Sequence, residues 1–222
     1  MKQDKVQDYL KKYESAPKSV EQDYFKLAIC DTLLDNYPKA KDYFCESVPI
    51  LLVPNPFWRA SSQVNWLVDI TIMSGKTEIF PSVVRELNLY RITPSRSGPV
   101  GTSPMAHYCY SVMEILLPGS GDINGWIKDL KKRPKYKDLY AAGFALQAIL
   151  DRNQEAFTQA LQAFLKAHEG MAKYGGLRYT SEGWLCLPAM SLSYAAHQKG
   201  LKVEVENEYL SMGYLAYLLG ID

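Results

Sequence analysis

The glycine-containing segments are the first places where this chain could do chemistry on phosphate groups. Residues 74–77 (Ser-Gly-Lys-Thr) resemble the end of a phosphate-binding loop, in which backbone amides and a lysine hold the phosphates. That loop also requires a preceding strand and a glycine five residues before Gly75, where this chain has Ile70. Residues 119–125 (GSGDING) have the wrong glycine spacing for a dinucleotide site. Both segments are therefore interpreted as helix ends and helix caps.

The three histidines, His107, His168 and His197, could serve as general bases or metal ligands. They lie on separate predicted helices, and His107 cannot share a helix face with Cys109, two residues away. The chain has no His-Glu-x-x-His pattern and no other histidine–carboxylate spacing typical of a metal site. The sequence therefore predicts no catalytic, cofactor-binding or metal site. A nucleophile and a histidine that only the fold brings together would leave no local pattern, and that alternative stays open.

The composition is that of an ordinary globular protein, with 222 residues, 47% apolar and 22% charged, and a net charge of +1. So small a charge favours neither nucleic acid nor an anionic membrane as a partner. The cysteines form no Cys-x-x-Cys pair, which favours buried free thiols, although disulfides remain compatible with the sequence. The charged N-terminus lacks the apolar region of a signal peptide, and no apolar run is long enough to span a membrane. The expected location is the cytoplasm.

Two charged segments are candidate binding surfaces. The basic run at residues 128–138 (KDLKKRPKYKD) has a single aromatic residue, which favours a solvated face over a nucleic-acid site. Glu204, Glu206 and Glu208 alternate with other residues, so an extended chain would place all three on one side. They are interpreted either as an exposed edge or as an acidic patch that meets a basic partner.

Residues 152–201 are predicted to form the packing centre of the fold. Asn153 is a predicted N-cap, and the helix after it has an apolar face with a period of 3.6 residues. The inward residues are Phe157, Leu161, Phe164, Leu165 and His168. A second helix, capped by Ser181 and ended by Gly200, is apolar on nearly all sides and is expected to be buried. Pro188 lies inside it, which predicts either a kink or a later start.

Further helical patterns occur on both sides of this centre. Ser103 and Asp122 are predicted caps of two helices that precede it. Residues 201–209 permit a short extended segment, and residues 208–219 predict a last helix. Period-two patterns are nearly absent elsewhere. The sequence therefore predicts an all-α fold, with antiparallel helix pairs stacked as a bundle or a short solenoid-like array.

A single helical domain is expected to span residues 1–222. The segment at residues 92–102 is rich in proline, glycine and serine, as connections between structural units often are. It is the place of a possible division between N-terminal helices at residues 3–90 and a C-terminal helical region at residues 103–222.

A set of residues in the C-terminal third carries a family resemblance. It comprises Ile149, Leu150, Asp151, Glu155, Ala156, Phe157, Leu165, His168, Tyr179, residues 185–190 (LCLPAM), Ala195, Ala196, Gly200, Leu201, Val203, Tyr209 and Leu210. Through these residues, the chain over about 137–212 is similar to the immunity protein 49 family of bacterial polymorphic-toxin systems.

The resemblance implies a non-enzymatic cytoplasmic inhibitor without a cofactor. Its partner would be a cognate bacterial toxin domain, often a nuclease, and no direct contact with nucleic acid or membrane is expected. An acidic surface would suit a cationic nuclease, so Glu204, Glu206 and Glu208 are the predicted toxin interface. The resemblance leaves the oligomeric state open.

Two alternatives remain open. A helical-repeat scaffold for a peptide or protein would have a concave groove lined by exposed aromatic residues such as Tyr24, Trp58 or Tyr174. A helical enzyme would have a deep cleft where histidine and carboxyl groups converge.

Overall fold

A computed structural model of the chain describes residues 2–14, 22–52, 61–92, 94–95, 98–99, 103–119 and 121–221. Eleven α-helices lie within these residues: α1 (Lys2–Glu14), α2 (Gln22–Leu33), α3 (Tyr37–Leu52), α4 (Ser61–Ser74), α5 (Phe80–Ile92), α6 (Pro104–Leu116), α7 (Ile123–Leu130), α8 (Lys137–Leu150), α9 (Gln154–Tyr174), α10 (Leu187–Gln198) and α11 (Met212–Leu219). Two 3₁₀ turns, Thr77–Ile79 and Ser181–Gly183, accompany them. Two-residue strands, β1 (Pro94–Ser95) and β2 (Gly98–Pro99), pair antiparallel. The predicted all-α class is confirmed.

Consecutive helices pack on one another, with α2 on α3, α3 on α4, α6 on α7 and α8 on α9. Such neighbours with short connections run antiparallel. Two of the connections use the same device, because Asp35 after α2 and Arg152 after α8 adopt a left-handed backbone with φ of 59° and 52°. In each, the next residue's amide bonds a carbonyl five residues back, which caps the helix end and turns the chain sharply.

Helix α10 lies at the centre of the array, as its pattern predicted. It contacts α4, α6, α8, α9 and α11, and its residues 189–196 are all buried. Its true start is Leu187, so Pro188 lies in the first turn, where a proline costs no helical hydrogen bond. The later start was therefore the right alternative. The predicted cap at Ser181 was wrong, because Ser181 begins a separate 3₁₀ turn.

Three other caps are confirmed by hydrogen bonds. Ser103 Oγ accepts from the amide of Ala106 at 3.1 Å, Asp122 Oδ1 from Gly125 at 3.0 Å, and Asn153 Oδ1 from Ala156 at 3.0 Å. The inward face predicted for α9 is also confirmed, since every residue of it is buried.

The last helix starts later than predicted, at Met212 rather than at residue 208. Asn207 accounts for the difference, because its side chain accepts from the amide of Tyr209 at 2.9 Å and its carbonyl from that of Leu210 at 3.1 Å. This turn takes the backbone out of the helical path. The helix then begins after Ser211, whose hydroxyl caps it.

The domain prediction stays a prediction. Most of the described buried apolar residues, from Phe25 to Leu215, form one cluster. Only part of the proposed division at residues 92–102 is described.

Candidate interaction surface and buried polar groups

The three predicted interface residues lie on the segment between α10 and α11. Within residues 201–208, here called the acidic segment, Leu201 and Val205 are buried and Glu204, Glu206 and Glu208 are exposed. Alternate side chains thus point to opposite sides, as in an extended chain, although no strand partner is present among the described residues. The apolar side chains fix the segment to the core, and this leaves the three carboxylates at the surface.

Hydrogen bonds hold the acidic segment near both ends. Gln154, the first residue of α9, accepts from the amide of Lys202 at 2.8 Å and donates to its carbonyl at 2.9 Å. Beyond the other end, the carbonyl of Tyr209 accepts from the amide of Cys186 at 2.8 Å. A loop ordered in this way loses little conformational freedom when it binds a partner.

The charge of Glu208 in the acidic segment affects the pKa of neighbouring groups, including Lys173 near the C-terminal end of α9. Burial is the main reason why the pKa of Tyr209 is raised, and the charge of Glu208 adds to it. The pKa of Lys173 is raised by its hydrogen bond and ion pair with Glu169, with a smaller contribution from Glu208. The carboxylate of Glu208 therefore lies close enough to Tyr209 and Lys173 to contribute to the pKa of each.

Replacement of Gln154 by alanine is expected to loosen the acidic segment while the fold persists. The loss of two hydrogen bonds to Lys202 should cost about 1–3 kcal/mol, because each is worth about 0.5–1.5 kcal/mol. Hydrogen exchange should become faster at the Lys202 amide. The matched control is Gln159→Ala on the same helix, since Gln159 bonds the side chain of Glu155 instead. Equal hydrogen-exchange rates at the Lys202 amide in both variants would contradict the proposal that Gln154 holds the acidic segment in place.

The histidines occupy three different environments. The ring of His107 on α6 lies 2.9 Å from Asp129 on α7, which also binds Arg133 at 2.9 and 3.1 Å. Partial burial raises the pKa of Asp129, but the bonds from Arg133 and His107 outweigh it, so the pKa lies below its usual range. His168 is buried with its ring edge on Tyr209, at 5.1 Å between ring centroids. Among the described residues, no group of three His, Cys, Asp or Glu side chains could hold a metal ion.

A buried polar contact that sequence reasoning missed joins α4, α6 and α10. The hydroxyl of Tyr108 lies 3.1 Å from Asp69 Oδ1 and 3.1 Å from the carbonyl oxygen of Pro188. Burial raises the pKa of Asp69 to about 7, although the nearby hydroxyl groups of Ser191 and Tyr108 lower it. A protonated Asp69 can donate to Tyr108, which then donates to Pro188.

Asp69 and His168 both line a cavity of about 250 Å³, here called the internal cavity. The thiol of Cys186 lies in the same wall, and burial raises its pKa far above the usual value. A thiol held in its protonated form is a poor nucleophile. The cavity therefore brings together a histidine and carboxyl groups, as the enzyme alternative requires, without an activated cysteine.

All four cysteines are free thiols. Cys30, Cys109 and Cys186 are buried, and the half-buried Cys45 donates to the carbonyl of Ser74 at 3.4 Å. This agrees with the expectation of free thiols.

The two described aromatic residues among those proposed for a scaffold groove, Tyr24 and Tyr174, differ in exposure. Tyr24 is half-buried against Tyr43, at 6.0 Å between ring centroids, whereas Tyr174 is 88% exposed. Trp58 lies outside the described residues. A shallow groove between α8 and α9 instead carries Tyr140 and Phe144, with the ammonium group of Lys131 lying 5.0 Å from the centre of the Phe144 ring.

The fold and these surfaces define an all-helical protein with an ordered acidic loop at its C-terminal end. The model of the immunity protein 49 family matches residues 128–212, and this confirms the resemblance predicted from the sequence. The matched segment runs from α7 to the first residue of α11 and includes the acidic segment. No curated protein and no solved structure matches the chain.

The family match suggests toxin immunity in general, and a non-enzymatic inhibitor with a toxin as its partner. Within the described part of the chain, none of the helices has the length and apolar character needed to cross a bilayer.

Proposed function

We propose that this protein binds a cognate bacterial toxin in the cytoplasm and neutralises it by stoichiometric protein–protein contact. The match of residues 128–212 to an immunity-protein family is the observation that carries this proposal. The matched residues include a surface segment whose three carboxylates are exposed and whose backbone is fixed by Gln154 and Cys186.

The toxin is proposed to be a nuclease, because an enzyme that binds nucleic acid presents Lys and Arg to the phosphates. An acidic surface is complementary to such a site and accelerates the encounter by electrostatic attraction. Glu204, Glu206 and Glu208 would then occupy the place of phosphate groups on the toxin. No residue of this chain has to change chemically in such a mechanism.

Co-expression tests the proposal directly. The candidate for this test is any toxin domain that a neighbouring gene encodes, and it is expressed from an inducible promoter with and without this protein. Growth is expected only when both are made. Undiminished killing in the presence of folded protein would refute the immunity function.

A titration distinguishes stoichiometric inhibition from the enzyme alternative. Residual nuclease activity is measured against increasing amounts of this protein. Inhibition is expected to be complete near equimolar amounts, with a complex of fixed stoichiometry in light scattering. Loss of toxin activity at far lower amounts, with continuing turnover, would instead support an enzyme that inactivates the toxin.

A further inference from the structure

We propose that the internal cavity is a binding site for a single organic cation, an ammonium or guanidinium group on a small apolar body. The cavity lies where α2, α4, α8, α9 and the first turn of α10 meet, and its volume is about 250 Å³. This is room for a molecule of about the size of benzylamine. No residue of the acidic segment lines the cavity, although Cys186 and His168 in its wall contact Tyr209 just beyond that segment. The proposal does not depend on the proposed function.

The charges that line the cavity define the sign of the ligand. Three acidic residues from different elements line the cavity: Asp69 of α4, Asp138 of α8 and Glu182 of the 3₁₀ turn before α10. No lysine or arginine occurs among the described residues that line it. Carboxylates in a partly enclosed cavity attract a cation more strongly than they do at an open surface.

The apolar part of the wall suits the same ligand. Phe25 and Trp66 stack at 5.2 Å between ring centroids with an angle of 25°, and Phe164 lies in the wall as well. Aromatic faces attract ammonium and guanidinium groups, most strongly when water is excluded. The flexible side chains of Met105 and Met171 can adapt to the shape of the ligand.

The three acidic residues of the cavity wall lie at different depths. Asp69 is almost fully buried, with 1% of its surface exposed, whereas Asp138 and Glu182 are only half-buried. A bound cation near Asp69 would replace the proton that burial favours on this carboxyl group.

The test is a calorimetric titration of the full-length protein with benzylamine, benzyl alcohol and benzoate. Benzylamine is expected to bind with a Kd of about 1 mM or tighter. The two ligands without a cationic group should bind at least ~10-fold more weakly. Nuclear Overhauser effects between the benzylamine ring and the indole of Trp66 should place the ligand in the cavity. Equal affinity for benzyl alcohol, or no benzylamine binding at ~10 mM, would overturn the proposal.

A matched pair of variants tests the carboxylates. Glu182→Gln keeps the shape of the side chain and should weaken benzylamine binding at least ~5-fold. Glu86→Gln, at an equally half-buried glutamate on α5 that does not line the cavity, should leave it unchanged. If both variants bind like the parent protein and no Trp66 signal is seen, the assigned site is wrong.

A competition experiment identifies the source of the cation. If saturating benzylamine weakens toxin binding, the natural occupant is a lysine or arginine side chain of the toxin. If toxin binding is unchanged, the occupant is a free small amine. Either result keeps the cavity as a cation site, because the titration with benzylamine uses the isolated protein.

Discussion

Replacement of Glu204, Glu206 and Glu208 together by lysine is expected to weaken toxin binding by about 100-fold, which corresponds to about 2.7 kcal/mol. The three side chains are exposed, so the change leaves the core intact. Each replacement turns an attraction to a cationic toxin into a repulsion, and like charges across an interface cost several kcal/mol. Isothermal titration calorimetry or surface plasmon resonance with the purified toxin domain measures the change in Kd.

Association rates provide a second measurement of the same surface. Electrostatic attraction accelerates encounter and weakens as salt is added. The association rate of the parent protein should therefore fall steeply with salt, whereas that of the triple-lysine variant should be slow at low salt and rise as salt is added. A loss of affinity caused by misfolding would not reverse the salt dependence in this way.

A charge-matched control uses exposed acidic residues of the N-terminal half. Asp42 and Glu46 on α3 and Glu78 in the turn after α4 are all exposed. Their replacement by lysine changes the net charge by the same amount as the triple variant does. Near-parent affinity is expected for this control. If the control loses as much affinity as the triple variant, net charge rather than the acidic segment governs binding.

Local signals made much of the fold predictable. The caps at Ser103, Asp122 and Asn153 each depend on a hydrogen bond to an amide only three residues away. The inward face of α9 follows from a helical period that a single segment contains. The exposure of Glu204, Glu206 and Glu208 could likewise be anticipated from alternation, whereas their role in binding remains a prediction.

The interactions that the sequence did not reveal join residues far apart in the chain. Asp69 meets Tyr108 across 39 residues, His107 meets Asp129 across 22, and Gln154 meets Lys202 across 48. No periodicity or motif encodes such a contact, since it exists only when helices pack. The internal cavity is of the same kind, because its wall comes from several helices and a turn.

Replacement of Asp69 by asparagine is expected to remove a large pH dependence of stability. The pKa of the Asp69 carboxyl is about 7 in the folded protein, chiefly because of burial, against 3.8 for an unperturbed aspartate side chain. A difference of about three in pKa corresponds to about 4 kcal/mol. Asparagine has nearly the same shape, stays neutral, and can still bond the hydroxyl of Tyr108.

The direction of the pH dependence follows from whether the folded or the unfolded state binds the proton of Asp69 more tightly. Below about pH 4, Asp69 is protonated in both the folded and the unfolded state and contributes no pH dependence. Between about pH 4 and 7, only the unfolded chain ionises, so the free energy of unfolding falls as pH rises. Above about pH 7 both states are ionised and the cost stays constant. Asp129 acts in the opposite direction and at lower pH, because its pKa is lower in the folded than in the unfolded state. Its ionised form stabilises the fold above the unfolded pKa, and this stabilisation is lost on acidification.

Urea unfolding of the parent protein and of Asp69→Asn, from pH 4 to pH 8, measures this effect. The two should be nearly equal at pH 4, and Asp69→Asn should be more stable by a few kcal/mol at pH 8. Asp42→Asn, at an exposed position, should keep the parent slope. Ionisation of the buried Asp69 lowers the stability of the fold at neutral pH and above. Packing alone does not explain a carboxyl group at this position, because the amide of an asparagine could make similar contacts between the three helices without ionising. If benzylamine at pH 8 stabilises the parent protein more than Asp69→Asn, the bound cation offsets that cost. Parallel curves for the parent protein and Asp69→Asn would mean that ionisation of Asp69 is not coupled to folding.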